Sequence, residues 1–185
     1  MKKLSKIDES AWGDMMRRGS GEEIRKEDNL TNLRAIVPID MGVSVLWADR
    51  DLVDKIDDSC YFTYEDAESI LKNTGWRFPT KKETLELFEH TRVMKNTDDV
   101  CILEGDFDGG PKLIFNKNGY KLGNSDKIFN KYCYCCWTST EYKPSPEAYY
   151  MMNIQQYQSI QSHIPIHKDN RVPARLVKDK EKRED

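Results

Sequence analysis

The chain contains no long hydrophobic run. Its longest apolar stretches are far too short to span a bilayer, and the lysines of "MKKLSKIDESAWGD" precede no apolar segment of the kind a secretory signal needs. Synthesis in the cytoplasm without a signal peptide is therefore expected, with any virion or surface location reached by another route. Charge of one sign is also lacking. The 29 basic residues stand against 32 acidic ones, a net charge of −3, and no basic stripe with interleaved aromatics occurs. Nucleic acid is an unfavourable partner for such a balance. Histidine is scarce: His90, His163 and His167 frame no Ser-His-Asp or Cys-His arrangement for nucleophilic catalysis. No internal repeat is visible.

Cysteine is present but badly spaced for its usual work. Five is an odd number, and without a secretory signal a disulfide framework is not expected. Cys133, Cys135 and Cys136 crowd into "CYCCW", and with His163 or His167 they are the natural candidates for zinc. Zinc sites usually gather their cysteines across a two-residue gap, which "CYCC" lacks. Alternation along a strand would also send Cys136 to the face opposite Cys133 and Cys135. Small buried hydrophobes is the better reading, and no metal or cofactor is expected. Asp106 and Asp108 beside Gly109 have the chemistry for a cation, but a solvated turn explains them as well.

What the chain does have is buriable bulk and alternating patterns. Apolar residues are 38% and charged residues 33%, with four Trp, nine Tyr and six Phe, enough for one domain with a real core. Residues 1–32 read as an N-terminal arm: a short amphipathic patch (Trp12, Met15, Met16), a Gly-Ser-Gly break and a charge run. Residues 33–178 read as the domain, and 179–185 as a charged, disordered tail. Within the domain, "LRAIVPID" and "VSVLWA" predict strands. "YFTYEDAESILKNTG" predicts a helix capped by Thr63, apolar along Ala67, Ile70 and Leu71, and ended by Gly75. "TGWRFPTKKETLELFEH" predicts a short extended piece, then a helix opened by a Thr80–Glu83 capping box, with Leu85, Leu87 and Phe88 facing the core. The second half reads as β: a strand at Leu113 to Phe115, an Asn118-Gly119 hairpin, a strand through "KYCYCCWTSTEY", and two more through "EAYYMMNIQQYQSI" and "NRVPARLVK" with a polar loop between them. Two helices followed by hairpins make the expected fold class α+β.

The ordered set "VLWADRDL", "GWRFPTKKETLEL", a Gly-Gly hairpin, "CWTSTEY", "AYYMMNI" and "RVPARLVK" resembles the bacterial C-type-lectin-like domains known as the Fibrobacter succinogenes major paralogous domain. The resemblance covers roughly residues 38–178. It implies a C-type-lectin-like fold with two helices flanking an antiparallel sheet, and a loop region presenting the ligand surface. It also implies scaffold roles for Trp76, Pro79, Thr80 and Trp137, with Arg175 paired to that scaffold. The leader "ESAWGDMMRRGSGEEIRKED" is similar to N-terminal segments of proteins from gut Bacteroidales and their prophages, which implies an attachment arm. Variable proteins diversified by retroelements share the expected fold, and "WTSTEY…RVPARLVK" frames a window like theirs. Adenine-directed mutation of Asn codons never yields the Gln and Met that abound in that window.

By the resemblance, the segment "EYKPSPEAYYMMNIQQYQSIQSHIPIHKDN" lies on the ligand-presenting side, and its Tyr, Gln, Asn and His suit adaptable recognition. The candidate ligand-binding residues are Tyr142, Tyr149, Asn153, Gln155, Tyr157, Gln161, His163 and His167. The expected function is non-enzymatic recognition of a protein or glycan. Two alternatives compete. A copper-dependent oxidase like the formylglycine-generating enzymes shares the "R-x-PT-x-x-E" helix start, but their glycine-rich "GGS" strand is missing. A structural subunit of a phage or surface assembly would self-associate, as a homo-oligomer or through the arm. The "EPN", "QPD" and "WND" signatures of calcium-dependent sugar binding are absent.

Overall fold

The computed structural model describes residue 33 and residues 35–54, 59–105, 109–155 and 161–181. The arm, Asp106, Asp108, Tyr157 and the last four residues lie outside the described residues. In chain order the elements are β1 (Pro38–Asp40), β2 (Val45–Asp51), β3 (Tyr61–Phe62), α1 (Tyr64–Leu71), α2 (Lys81–Glu89), β4 (Thr91–Asn96), β5 (Val100–Gly105) and β6 (Lys112–Asn116). They continue with β7 (Tyr120–Lys121), β8 (Ile128–Phe129), β9 (Tyr134–Glu141), β10 (Ala148–Ile154), β11 (Gln161–His167), β12 (Val172–Pro173) and β13 (Arg175–Asp179).

The expected α+β, C-type-lectin-like arrangement of two helices flanking a sheet is overturned. Among the described residues there are thirteen strands in five small antiparallel sheets and two short helices, a mostly β architecture. The orders are β1-β2-β13, β11-β10-β9, β12-β3, β4-β5-β6 and β7-β8. Two of these strands carry little local signal. β4, "TRVMKN", and β11, "QSHIPIH", owe their conformation to the partners β5 and β10 rather than to their own pattern. His163, Pro165 and His167 thus sit in an edge strand and not in the polar loop expected there. An edge is where proline is tolerated, because it has no N–H to give the ladder. The Asn118-Gly119 pair makes no hairpin between β6 and the next strand, since β6 pairs with β5 while β7 pairs with β8.

Alternation builds two cores on the two faces of shared strands. In β9, Cys135 and Trp137 enter the first core and Tyr134 and Cys136 the second, the split the sequence pattern predicts. Met151 and Met152 of β10, Ala48 and Trp47 of β2, and Leu176 and Val177 of β13 divide the same way. α1 covers the first core with Ala67 and Leu71, and α2 covers the second with Leu87. Trp137 is fully buried and its Nε1 donates to the Phe62 carbonyl at 2.9 Å, so its polar handle is satisfied. Both helix starts form as predicted: Thr63 Oγ1 accepts from the Asp66 amide, and Thr80 and Glu83 close a reciprocal capping box. Leu85 is the exception among the predicted core contacts, being 40% exposed. β13 runs through Asp179, one residue into the expected tail.

Candidate functional site

α1 positions the site. Its inner stripe is committed to the core, which leaves Glu65, Glu68, Ser69 and Lys72 along the outer stripe at helical spacing. Asn73 (φ 64°) and Gly75 (φ 77°) then reverse the chain in left-handed conformations, returning it as Trp76-Arg77-Phe78. The Arg77 amide and carbonyl both bond to Val177 at the edge of β13, at 3.0 and 2.9 Å. Its guanidinium reaches Glu83 at 2.9 and 2.7 Å and Asp179 at 2.6 and 3.2 Å. That clamp sets Trp76 and Phe78 opposite α1.

Between them lies an open cleft of about 590 Å³, floored by Tyr64, Leu71, Trp76 and Phe78 and rimmed by Glu65, Glu68, Lys72 and Ser139. A smaller cleft of about 470 Å³ adjoins it, bordered by Thr63, Gly123, Asn124, Lys168 and Asp169. Glu65 borders both. The Tyr64 ring is the hinge of the aromatic wall. It stacks on Tyr149 at 3.7 Å between centroids, tilts against Phe78 at 4.9 Å and meets Trp137 edge-on at 5.5 Å.

The electrostatics of this groove are negative. Lys168 bonds Glu65 at 2.7 Å and lies 3.8 Å from Glu147. His167 stands 3.5 Å from Glu147 and 3.4 Å from Asp169. Glu68 and Glu141 are exposed and have no ion-pair partner among the described residues. Burial, and then the neighbouring carboxylates of Glu68 and Glu141, push the phenols of Tyr64 and Tyr149 above their ordinary range.

The predicted residues do not form one surface. Tyr149 and His167 border the groove just described. Tyr142 and His163 gather elsewhere, around Tyr150: its ring meets Tyr142 at 5.6 Å and His163 at 6.4 Å, and Lys81 Nζ sits 4.2 Å over it. His163 Nε2 is 2.7 Å from Thr84 Oγ1, whose single proton points to the Lys81 carbonyl at 2.7 Å. His163 therefore donates from Nε2 as a neutral ring. Burial, followed by the Lys81 charge, lowers its pKa from 6.5 to about 4. Asn153 is fully buried, takes the Cys135 thiol at 3.8 Å on Oδ1, and has no partner for Nδ2. Gln155 is half-buried and its carbonyl accepts from Asn96 at 3.0 Å. Gln161 pairs through its backbone with Ile154 in the β10–β11 ladder. Tyr157 lies outside the described residues. The strand period accounts for part of the scatter, placing Tyr149 and Asn153 on one face of the sheet and Tyr150 and His163 on the other; His167 shares the parity of His163 and meets Glu147 and Asp169 because it ends β11.

Tyr64, Glu65, Glu68 and Trp76 were not foreseen as site residues. The helical stripe of "YEDAES" was legible, but its apolar side alone was used, and Trp76 was assigned to the scaffold. Cys60 and Cys133 are half-buried and Cys101 is buried. Cys135 and Cys136 are fully buried, and burial raises the thiols of Cys60 and Cys136 to about 12 and that of Cys101 to about 11. Among the described residues no group of three or more His, Cys, Asp or Glu is placed to hold a metal ion. No helix among them is long and apolar enough to cross a membrane. Compared with protein-family models, curated proteins and solved structures, the chain finds no match in any of the three.

Proposed function

We propose that the chain is a non-enzymatic recognition domain for a protein or glycan ligand. The observation that carries this reading is the open cleft along α1, whose apolar floor of Tyr64 and Trp76 continues into the stacked Tyr149. Aromatic floors with a polar rim give contact area at little entropic cost, the usual chemistry of recognition surfaces. The ordered motifs resemble those of bacterial ligand-binding domains in sequence, although the chain does not adopt the lectin-like arrangement of two helices flanking a sheet. A retroelement-diversified receptor-binding role remains within the proposal, with one restriction: Met151, Met152 and Asn153 are buried, so only rim positions such as Tyr149 and His167 suit variation.

The test is a ligand screen over immobilised glycans and bacterial surface proteins, with wild type and Tyr149→Ala side by side. A ligand whose affinity falls about tenfold or more on loss of the Tyr149 ring places recognition at this cleft. Ligands indifferent to Tyr149→Ala would move the site elsewhere, and urea midpoints of both proteins separate binding loss from unfolding.

A further inference from the structure

We propose that the groove along α1 takes a basic peptide segment, with a lysine or arginine side chain lying against Trp76 and its charge among Glu65, Glu68 and Glu141. This deepens the recognition reading and rests on it.

The donor and acceptor inventory points to such an occupant. Apart from Arg77, which Glu83 and Asp179 hold, the charged groups lining the two clefts are Glu65, Glu68, Asp169, Lys72 and Lys168, with Glu141 and Glu147 next to them and the hydroxyls of Ser69 and Ser139 between. Carboxylates only accept hydrogen bonds, so the ligand that satisfies them best brings several donors and a positive charge. The protein's own cations near the groove are mostly spent: Arg77 is held by Glu83 and Asp179, and Lys168 by Glu65 and Glu147. Lys72, at the C-cap of α1, is the one further cation that lines the first cleft among the described residues. Glu68 and Glu141 are left unpaired beside the aromatic wall, and both act on the Tyr64 and Tyr149 hydroxyls. An aromatic face next to free carboxylates attracts ammonium and guanidinium groups through the ring quadrupole and through charge together. The second cleft beyond Glu65 extends the path, which suits an extended chain better than one small molecule. A neutral glycan would also stack on Trp76, but its hydroxyls would leave the excess negative charge uncompensated.

The experiment is an NMR titration of the ¹⁵N-labelled full chain, following the Trp76 indole N–H, assigned with Trp76→Phe. The probes are pentalysine, pentaglutamate and cellopentaose. Pentalysine is expected to shift the Trp76 signal, and added salt to weaken the effect. Glu68→Gln/Glu141→Gln, at two exposed positions, should weaken it by about tenfold. Glu86→Gln/Glu89→Gln, beside the separate cleft on the outer side of α2, should leave it unchanged. A shift by cellopentaose without one by pentalysine overturns the cationic ligand while leaving recognition at the groove intact. Pentalysine binding that is unaltered in Glu68→Gln/Glu141→Gln, or that spreads over α2 without preference for Trp76, also overturns it. So does silence of Trp76 toward pentalysine, whatever ligand the separate screen returns.

Discussion

Arg175 enters the interior from β13 with 1% of its side chain exposed, and its polar contacts tie β2 and β6 to the centre. Its Nε donates to Asp51 at 2.7 Å, and its two terminal nitrogens donate to the carbonyls of Ala48 at 3.0 Å and Ile114 at 2.6 Å. Tyr134 donates to the same Asp51 oxygen at 2.7 Å, and Phe115 lies 4.7 Å beneath the guanidinium. Burial would lower the pKa of this group, but Asp51 and Tyr134 more than offset that and it stays charged. Arg175→Met should therefore cost about 3–5 kcal/mol in urea unfolding, because Asp51 is left buried without its cation. His163 gives a pH signature of the opposite origin. Its folded pKa of about 4 lies below the ordinary 6.5, so the unfolded chain binds the proton more tightly. Its contribution to stability is complete above pH 6.5 and is lost as the pH falls toward 4. Unfolding titrations of wild type and His163→Gln should diverge across that window and run parallel above it. A thiol titration of the folded protein, with and without copper, should find Cys101, Cys135 and Cys136 inert; a rapid, copper-sensitive thiol among them would favour the oxidase alternative.

At the scale of elements, short helices depend on their ends. α2 has nine residues, and its Thr80–Glu83 box satisfies two free amides while Glu83 also anchors the Arg77 clamp. Thr80→Ala should lower stability by about 1 kcal/mol, read from the urea midpoint. The turn into β7 is held by the Gly119 amide, which donates to the Cys133 carbonyl at 2.9 Å, and its geometry demands glycine. Gly119 has φ +62°, and a Cβ there would stand 2.1 Å from the Phe129 carbonyl oxygen. Gly119→Ala should cost about 1–3 kcal/mol, since strain and overlap add, whereas the same change at Gly42, with φ +81° and open space around it, should cost less. Thermal melts of the two variants measure the difference.

The whole molecule is organised by strands that serve two cores at once. Trp137 lies in the first core and Trp47 in the second, both fully buried. Because β2, β9, β10 and β13 contribute side chains to each, neither core can open without uncovering the other. In a Trp12→Phe/Trp76→Phe background, unfolding monitored by the fluorescence of Trp137 (with Trp47→Phe added) and of Trp47 (with Trp137→Phe added) should each match the circular-dichroism transition of the same variant. Transitions that separate would mean that the two cores fold independently. The groove belongs to this scale too: its wall joins α1, the Trp76–Phe78 segment and the end of β10, which no single stretch of chain supplies.

Local rules were legible wherever the determinant is local. The Thr63 and Thr80 caps, the reversal at Gly75, the two-faced alternation of "CYCCW" and the burial of Cys135 and Cys136, though not of the half-buried Cys133, follow from residue type and spacing alone. Strand pairing does not. β4 and β11 have weak patterns of their own, so their assignment waited on partners distant in sequence, and with it the correction from α+β to a mostly β architecture. The site divided along the same line. A composition rich in Tyr, Gln, Asn and His marked the segment 142–167, but strand parity parted His163 from Tyr149, and the covering of β10 on both faces buried Asn153 although it shares the parity of Tyr149. What brought Tyr149 to Tyr64, and Glu141 to Glu68, was the packing of β9 and β10 against α1. Spacing along a chain sets which way a side chain points; only the tertiary contact decides what it points at.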